Sequence, residues 1–265
     1  MYRDVWQDIE KIRSVSPLVH NITNYVVMNN TANALLSLGA SPVMAHAPEE
    51  VEDMVGISHA LVINIGTLSS AWIESMYKAM CAAAKKRIPI VLDPVGVGAT
   101  PFRTQTALNL LKDTESVIIR GNASEIRALG SEGAGARGVD STDTAEAASA
   151  VGRFLSNQYR SVVSISGPTD IIISADREIR VFNGHPMMPR VTGLGCTASA
   201  LTGAFAAVNP DPFRAAAHAM ALMGLAGEIA SEQAVGPGTM QLHFLDALYR
   251  IQESDIQERL RMEII

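Results

Sequence analysis

The run Val191-Thr-Gly-Leu-Gly-Cys-Thr-Ala-Ser-Ala200 gathers more groups able to handle an anion than any other ten residues of the chain. Gly193 and Gly195 break a β-like run and lead into a helix of small residues expected to reach Val208. Glycine lets backbone N–H groups approach a ligand that a side chain would block. The first turn of a helix leaves N–H groups without partners and carries partial positive charge, which suits a phosphate or a developing anion. Cys196 falls in that turn, where the field favours thiolate over thiol. Gly193, Leu194, Gly195 and Cys196 together read as an anion cradle holding a base, a combination suited to group transfer. A plain helix start with a small buried cysteine is the competing reading.

Other polar groups fall where apolar runs end. Ile88–Leu92 leads into Asp93-Pro-Val-Gly-Val-Gly98, Ser116–Ile119 into Arg120-Gly-Asn-Ala-Ser-Glu125, and Ser161–Ile165 into Ser166-Gly-Pro168. In an open parallel sheet, ligands bind beyond the carboxyl ends of the strands, so these runs should meet the glycine turn on one rim. Asp93 and Glu125 are hard oxygen ligands of the kind that hold Mg²⁺ directly or through its waters. Arg120 offers a planar fork matched to phosphate oxygens. Asp93 could instead cap the following turn, and Glu125 could be the N3 residue of a capping box.

The elements that must position these groups alternate along the chain. Strands are expected at Pro42–Ala45, Ala60–Ile65, Ile88–Asp93, Ser116–Arg120, Ser161–Ser166, Ile171–Ser174 and Ile179–Phe182. Helices are expected at Tyr25–Leu38, Pro48–Ile57, Ala71–Arg87, Thr104–Lys112, Ser124–Leu129 and Thr142–Asn157, with two or three more after Cys196. Unbroken apolar runs such as Ile88-Pro-Ile-Val-Leu92 suit strands buried on both faces of a parallel sheet. The pattern predicts one α/β layered domain over 1–265, with the last two strands forming an edge hairpin across Ala175–Glu178. Gly39 is placed as a helix C′ residue, Asp140–Asp143 as helix caps, and Pro48 and Pro101 in first turns.

Composition excludes several classes. Hydrophobic residues make up 48% and charged residues 18% of the 265, an ordinary balance for a packed α/β enzyme. The formal charge of −6 argues against a nucleic-acid footprint, which needs a basic face. Two cysteines make no disulfide framework at this length, and the N-terminus lacks a signal peptide's apolar core. The apolar stretch Ala215–Ala226 contains His218 and is too short to span a bilayer. A cytoplasmic protein with no membrane or nucleic-acid partner is expected. Gly133–Gly138 matches GxGxxG but follows a helical segment, so it is not a dinucleotide fingerprint. Six scattered histidines without metal-ligand spacing make zinc an unlikely cofactor.

Taken in order, several stretches resemble the hydroxyethylthiazole kinase family of the ribokinase-like superfamily. They are Ser16-Pro-Leu-Val-His-Asn-Ile-Thr-Asn24, Leu38-Gly-Ala-Ser-Pro-Val-Met44, Asn64-Ile-Gly-Thr67, Leu92-Asp-Pro-Val-Gly-Val-Gly-Ala99, Arg120-Gly-Asn-Ala-Ser-Glu125, Arg137-Gly-Val-Asp140, Val191-Thr-Gly-Leu-Gly-Cys196 and Gly236-Pro-Gly-Thr239 with His243-Phe-Leu-Asp-Ala-Leu248. The resemblance implies a ribokinase-like three-layer sandwich, with a mostly parallel central sheet and helices on both faces. It implies an ATP- and Mg²⁺-dependent kinase acting on the primary alcohol of 4-methyl-5-(2-hydroxyethyl)thiazole, a salvage step towards thiamine. Met44 and Gly193 would contact the thiazole alcohol with Asn24 nearby, Arg120 and Ser166 would contact ATP, and Asp93 and Glu125 would lie near the metal and phosphates. Proteins that look like this are homotrimers with pockets between subunits. The position of Cys196 is usually Asp in the wider superfamily, the base that takes the alcohol proton. Leu194 stands where many relatives have Thr, and Ser166 replaces a frequent Thr. A related pyrimidine or pyridoxal kinase, a nucleotide-repair dehydratase (expected to carry Asp at position 196) and a ligand-binding protein without catalysis are the alternatives.

Overall fold

The computed structural model describes residues 1–112, 114–134 and 145–265. The caps expected at Asp140–Asp143, the Arg137–Asp140 stretch and most of the Gly133–Gly138 run lie outside the described residues. In chain order the elements begin α1 (Tyr2–Val15), β1 (Leu18–Ile22), α2 (Met28–Leu38), β2 (Ser41–Val43), α3 (Val51–Ile57), β3 (Ala60–Asn64), α4 (Ser70–Lys86), β4 (Ile90–Asp93) and α5 (Pro101–Lys112). They continue with β5 (Val117–Asn122), α6 (Ala123–Ala134), α7 (Ala145–Tyr159), β6 (Val162–Ser166), β7 (Asp170–Ser174) and β8 (Arg177–Val181). After a short 3₁₀ turn come α8 (Leu194–Val208), α9 (Pro212–Ser231), α10 (Pro237–Arg250), α11 (Glu253–Arg259) and β9 (Met262–Ile264).

Among the described residues nine strands form one sheet in the order β2-β1-β3-β4-β5-β6-β7-β8-β9. The first five pairings in that order are parallel and the last three antiparallel. Successive side chains of the central strands alternate between two apolar cores. Val62, Val91 and Ile118 face a core shared with α1, α2, α8, α9, α10 and α11. Leu61, Ile63, Leu92 and Ile119 face a second core shared with α3 to α7. Burial on both faces explains why β3 and β4 read as continuous apolar runs. The architecture is the three-layer, mostly parallel sandwich expected from the sequence.

Several boundaries differ from the sequence reading, each for a local reason. The helix α1 was not foreseen because its core stripe of Val5, Ile9 and Ile12 includes Asp8, inside a polar segment. The strand β1 was not foreseen because His20 and Asn21 interrupt its apolar run, yet both are fully buried. The chain turns at Tyr25–Val27 before α2 begins at Met28, and Pro48 lies in a turn ahead of α3 rather than in its first turn. The β7–β8 hairpin is tighter than expected, with Ser174 paired directly to Arg177 across Ala175 and Asp176. That hairpin is followed on the sheet by β9, so it is not the edge. Gly39 does end α2 in the left-handed region, at φ 106°.

No helix among the described residues is long and apolar enough to cross a membrane. The helices α8 and α9 are instead apolar all round because protein covers them on every side. At Gly203 an added Cβ would fall 2.6 Å from Val62 and 3.1 Å from Val19, so α8 rests its backbone against the central strands. Gly203→Val should therefore destabilise the protein by about 1–3 kcal/mol through overpacking, read as a lower midpoint in urea unfolding. An unchanged midpoint would show that α8 can move away from the sheet.

Candidate active site

Six parallel strands end on one rim, and each delivers a polar or soft side chain there. Met44 follows β2, Asn24 lies just past β1, Asn64 ends β3 and Asp93 ends β4. Arg120 lies in the last turn of β5, and Ser166 ends β6, with Asn122 in register opposite Ser166. The amino end of α8 reaches the same rim through Cys196 and Gly195, whose contacts with Asn24 and Arg120 follow. Convergence at the carboxyl ends of parallel strands is the expected place for a ligand site.

Asp93 is 1% exposed, and its Oδ2 accepts from Asn64 Nδ2 at 2.8 Å and from Ser199 Oγ at 2.7 Å. Asn64 Oδ1 in turn accepts from Asn24 Nδ2 at 2.8 Å and from the Gly66 N–H at 2.9 Å. Asn24 Nδ2 also reaches Cys196 Sγ at 3.4 Å. One hydrogen-bonded chain therefore runs from the carboxylate of β4 to the thiol of α8. Burial pushes the Asp93 carboxyl up to about 6, opposed by the Arg120 charge and by the bonds from Ser199 and Asn64. Burial also raises the Cys196 thiol, reinforced by the Asp93 charge and opposed by Asn64, Asn24 and Arg120. The helix terminus was expected to favour the thiolate. Instead, desolvation favours the thiol in the resting protein.

The turn read as an anion cradle forms the start of α8. Gly193 sits at the N-cap of α8 with φ 87°, and no side chain caps the helix. A Cβ there would lie 2.7 Å from Val27, so both backbone and space demand glycine. Gly193 accepts from the Thr197 N–H at 2.8 Å, which closes the first turn behind the Leu194, Gly195 and Cys196 amides. Leu194 is buried and packs into the α8 core, so its side chain leaves the cradle open. Arg120 is 6% exposed and donates from Nη1 to the Gly195 carbonyl at 2.8 Å. Its buried Nε has no partner among the described residues. Its Nη1 and Nη2 lie 3.2 and 3.9 Å from where a Gly195 Cβ would stand, and a guanidinium fork beside uncapped helix amides is suited to phosphate oxygens.

Glu125 realises its structural reading. Its Oε2 accepts from the Asn122 N–H and its Oε1 from the Gly96 N–H, both at 2.9 Å. Asn122 Oδ1 in turn accepts from the Glu125 N–H at 2.9 Å, completing a reciprocal cap at the start of α6. Glu125 thereby ties the loop after β4 to the turn after β5, and its charge raises Asp93 slightly further. Among the described residues no group of three or more His, Cys, Asp or Glu side chains is placed to hold a metal alone. Ser166 Oγ lies 3.5 Å from the Gly121 carbonyl, the outer limit of a hydrogen bond, so its hydroxyl is free to turn to a ligand. Met44 is half-buried at the outer end of the rim, beyond Asn24 in strand order.

Four contributors escaped the sequence reading. Asn64 and Ser199 complete the Asp93 network. Asn64 carried the same signal as Asp93, a polar residue closing an apolar run, whereas Ser199 looked like helix filler. Asp170, 7% exposed at the start of β7, accepts from the Gly167 N–H at 3.0 Å. Burial raises its carboxyl to about 6 against the pull of that bond and of Arg120. Arg103, near the start of α5, donates to the carbonyls of Ile65 at 2.7 Å, Val95 at 2.9 Å and Gly66 at 2.9 Å. It clamps the loops after β3 and β4 together, and nothing in its local sequence announced this.

The sequence model of the hydroxyethylthiazole kinase family matches residues 9–254. The chain is 61% identical over 260 residues to a hydroxyethylthiazole kinase of Syntrophus aciditrophicus (strain SB), covering 98% of this chain and 96% of that protein. It is 55% identical over 254 residues to a hydroxyethylthiazole kinase of Leptospira biflexa, covering 96% and 95%. Among solved structures, the hydroxyethylthiazole kinase protein of Pyrococcus horikoshii OT3 superposes with a TM-score of 0.92 at 43% identity, over 99% of each chain. The pyridoxal kinase of Staphylococcus aureus, solved with pyridoxal, superposes with a TM-score of 0.68 at 16% identity, covering 94% of this chain and 97% of that one. That second likeness is one of fold.

The Arg103 clamp and the buried Asp93 each generate a prediction. Arg103→Ala strands three loop carbonyls and should cost about 1–3 kcal/mol of stability, seen as a lower thermal midpoint. Retention of the full midpoint would show that water replaces the guanidinium. For Asp93, an unfolded chain loses its proton near pH 3.9, whereas the native carboxyl keeps it to about 6. The native state therefore binds more protons in that window, and this group's contribution to stability falls as pH rises from about 4 to 6. Asp93→Asn should gain thermal stability relative to the parent protein on going from pH 4 to pH 7, measured in EDTA. A constant difference would contradict the raised carboxyl.

Proposed function

The chain belongs to the hydroxyethylthiazole kinase family, and on that premise we propose that it transfers the γ-phosphoryl group of ATP to the primary alcohol of 4-methyl-5-(2-hydroxyethyl)thiazole. The product is the thiazole phosphate used in thiamine salvage. One observation carries the reading beyond the family itself: the Arg120 guanidinium held against Gly195 at the uncapped amino end of α8. A phosphoryl group in transfer is mostly positioned and neutralised rather than chemically attacked by the protein. The Leu194, Gly195 and Cys196 amides and the Arg120 fork are arranged for that work, with Ser166 supplying a further hydroxyl to ATP.

In this reading the alcohol lies between Gly193 and Met44, with Asn24 beside it. Its oxygen attacks the γ-phosphorus, the bond to ADP breaks, and the hydroxyl proton passes to the thiolate form of Cys196, which becomes the thiol. Because burial holds the thiol above its ordinary range, only a minor thiolate fraction is present at neutral pH. Asp93 and Glu125 would hold Mg²⁺ at the phosphates, where it supplies charge neutralisation. Two hard carboxylates suit an ion that keeps waters and phosphate oxygens as its other ligands. Since both Glu125 oxygens already accept from backbone amides, contact through water fits this residue best.

The chain acts as one kinase domain over 1–265, supported by a single sheet to which every strand belongs. A cytoplasmic location suits a metabolic kinase that draws on ATP. The homotrimer expected from the resemblance is part of the same reading. Tyr25 and Val26 are 66% and 63% exposed next to Asn24, apolar surface that a neighbouring copy would cover. Sedimentation equilibrium should then return three times the chain mass, and a monomer would contradict it.

ADP release from Mg-ATP should depend on hydroxyethylthiazole and not on the hydroxymethylpyrimidine of the same pathway. Turnover with the pyrimidine alone would overturn the substrate while keeping the kinase. Cys196→Ala should lose roughly two to four decades of kcat while ATP still binds. The parent kcat should climb through the alkaline range as the thiolate forms, and Cys196→Asp should move that limb to acid pH. Full activity in Cys196→Ala would remove the base. Arg120→Ala should mainly weaken ATP binding, measured by calorimetry.

A further inference from the structure

The chain of amides between Asp93 and Cys196 has only one self-consistent polarity. A carboxylate accepts and a backbone N–H donates, so each fixes the sense of whatever faces it. Asn64 faces one of each: its Nδ2 lies 2.8 Å from Asp93 Oδ2 and its Oδ1 lies 2.9 Å from the Gly66 nitrogen. Turning this carboxamide over would set oxygen against oxygen and N–H against N–H. With Asn64 Oδ1 so fixed, Asn24 must present its NH₂ group, as it does at 2.8 Å. The Val26 N–H, 3.1 Å from Asn24 Oδ1, imposes the same sense from the other side. The remaining Asn24 hydrogen then points at Cys196 Sγ, 3.4 Å away. Asn24, Asn64 and Asp93 are all at most 4% exposed, so water cannot readily substitute for any link. Space is as constrained as polarity, since a Cβ on Gly66 would fall 2.5 Å from Asn24 Nδ2.

We propose that Asn64 is a positioning residue for phosphoryl transfer: held by Asp93 and Gly66, it locks the Asn24 carboxamide so that Cys196 Sγ always receives an N–H. The sulfur is thereby oriented, and its remaining valences are left for the alcohol proton. The N–H also stabilises the thiolate form needed for proton abstraction. The inference rests on the reading of Cys196 as the base. It gives Asp93 a second task, reached through two amides, in addition to any part it takes at the metal.

A double-mutant cycle on the full-length protein tests this, with kcat read in the steady state at saturating Mg-ATP and thiazole alcohol. Asn64→Ala should lower kcat roughly tenfold or more while leaving KM for ATP within about twofold. In a Cys196→Ala background the same substitution should change kcat by less than about twofold, because the group it positions is gone. In a Cys81→Ser background, Asn64→Ala should also move the pH midpoint of Cys196 alkylation by iodoacetamide upward, and an unmoved midpoint would overturn the role. Should Asn64→Ala fail to fold, Asn64→Leu, of similar size, fills the space without either polar link and should show the same coupling. Losses that multiply in the double mutant would overturn the positioning role, even with Cys196→Ala impaired on its own. Full activity in Cys196→Ala alone would overturn both this role and the base assignment.

Discussion

A carboxylate sealed at the end of the central strand β4 organises the rest of the rim. Asp93 is too buried for water to satisfy it, so protein must do so, and it is Asn64, Ser199 and the charge of Arg120 that do. Each of these partners has a second obligation. Asn64 holds Asn24, Ser199 belongs to α8, and Arg120 grips the Gly195 carbonyl. Satisfying one anion therefore fixes Asn24, the amino end of α8 and Arg120 in a single frame. Burial keeps that carboxyl near 6 rather than in the ordinary range, a local instability retained where an enzyme needs charge.

The frame depends on close packing that only small residues permit. The helix α8 reaches Asp93 because Gly203 lets its backbone rest on Val62 and Val19. Its amino end opens into the rim because Gly193 takes a left-handed turn against Val27. The loops after β3 and β4 are irregular, yet the three carbonyls bound by Arg103 make them behave as one unit. Glu125 then couples the second of these loops to α6. Rigid elements thus present mobile chemistry: a proton, a phosphoryl group and the alcohol that receives it.

Much of this was legible in the sequence because parallel strands buried on both faces write continuous apolar runs. A polar residue ending such a run is conspicuous, which is how Asp93, Arg120 and Ser166 stood out. The Gly-x-Gly-Cys turn was legible because glycine, helix start and thiol coincide. What escaped depended on long-range partners. His20 and Asn21 disguised β1, Asp8 disguised α1, and Arg103 finds its three carbonyls on loops up to 38 residues away. Glu125 was ambiguous between metal ligand and helix cap, since both roles select the same side chain at the same spacing. The direction of the Cys196 shift was misjudged because a helix terminus is visible in sequence and desolvation is not.

The central claim is that phosphoryl transfer takes place over the first turn of α8, between Cys196 and Arg120. A crystal structure of the protein with Mg-ADP, aluminium fluoride and hydroxyethylthiazole tests it most directly, because the fluoride mimics the group in flight. The account predicts a planar fluoride facing the Leu194, Gly195 and Cys196 amides. The Arg120 guanidinium should lie within hydrogen-bond reach of the phosphate or fluoride, and the thiazole oxygen beside Cys196 Sγ. A fluoride bound away from the α8 amides, or a thiazole oxygen held by another base, would contradict it.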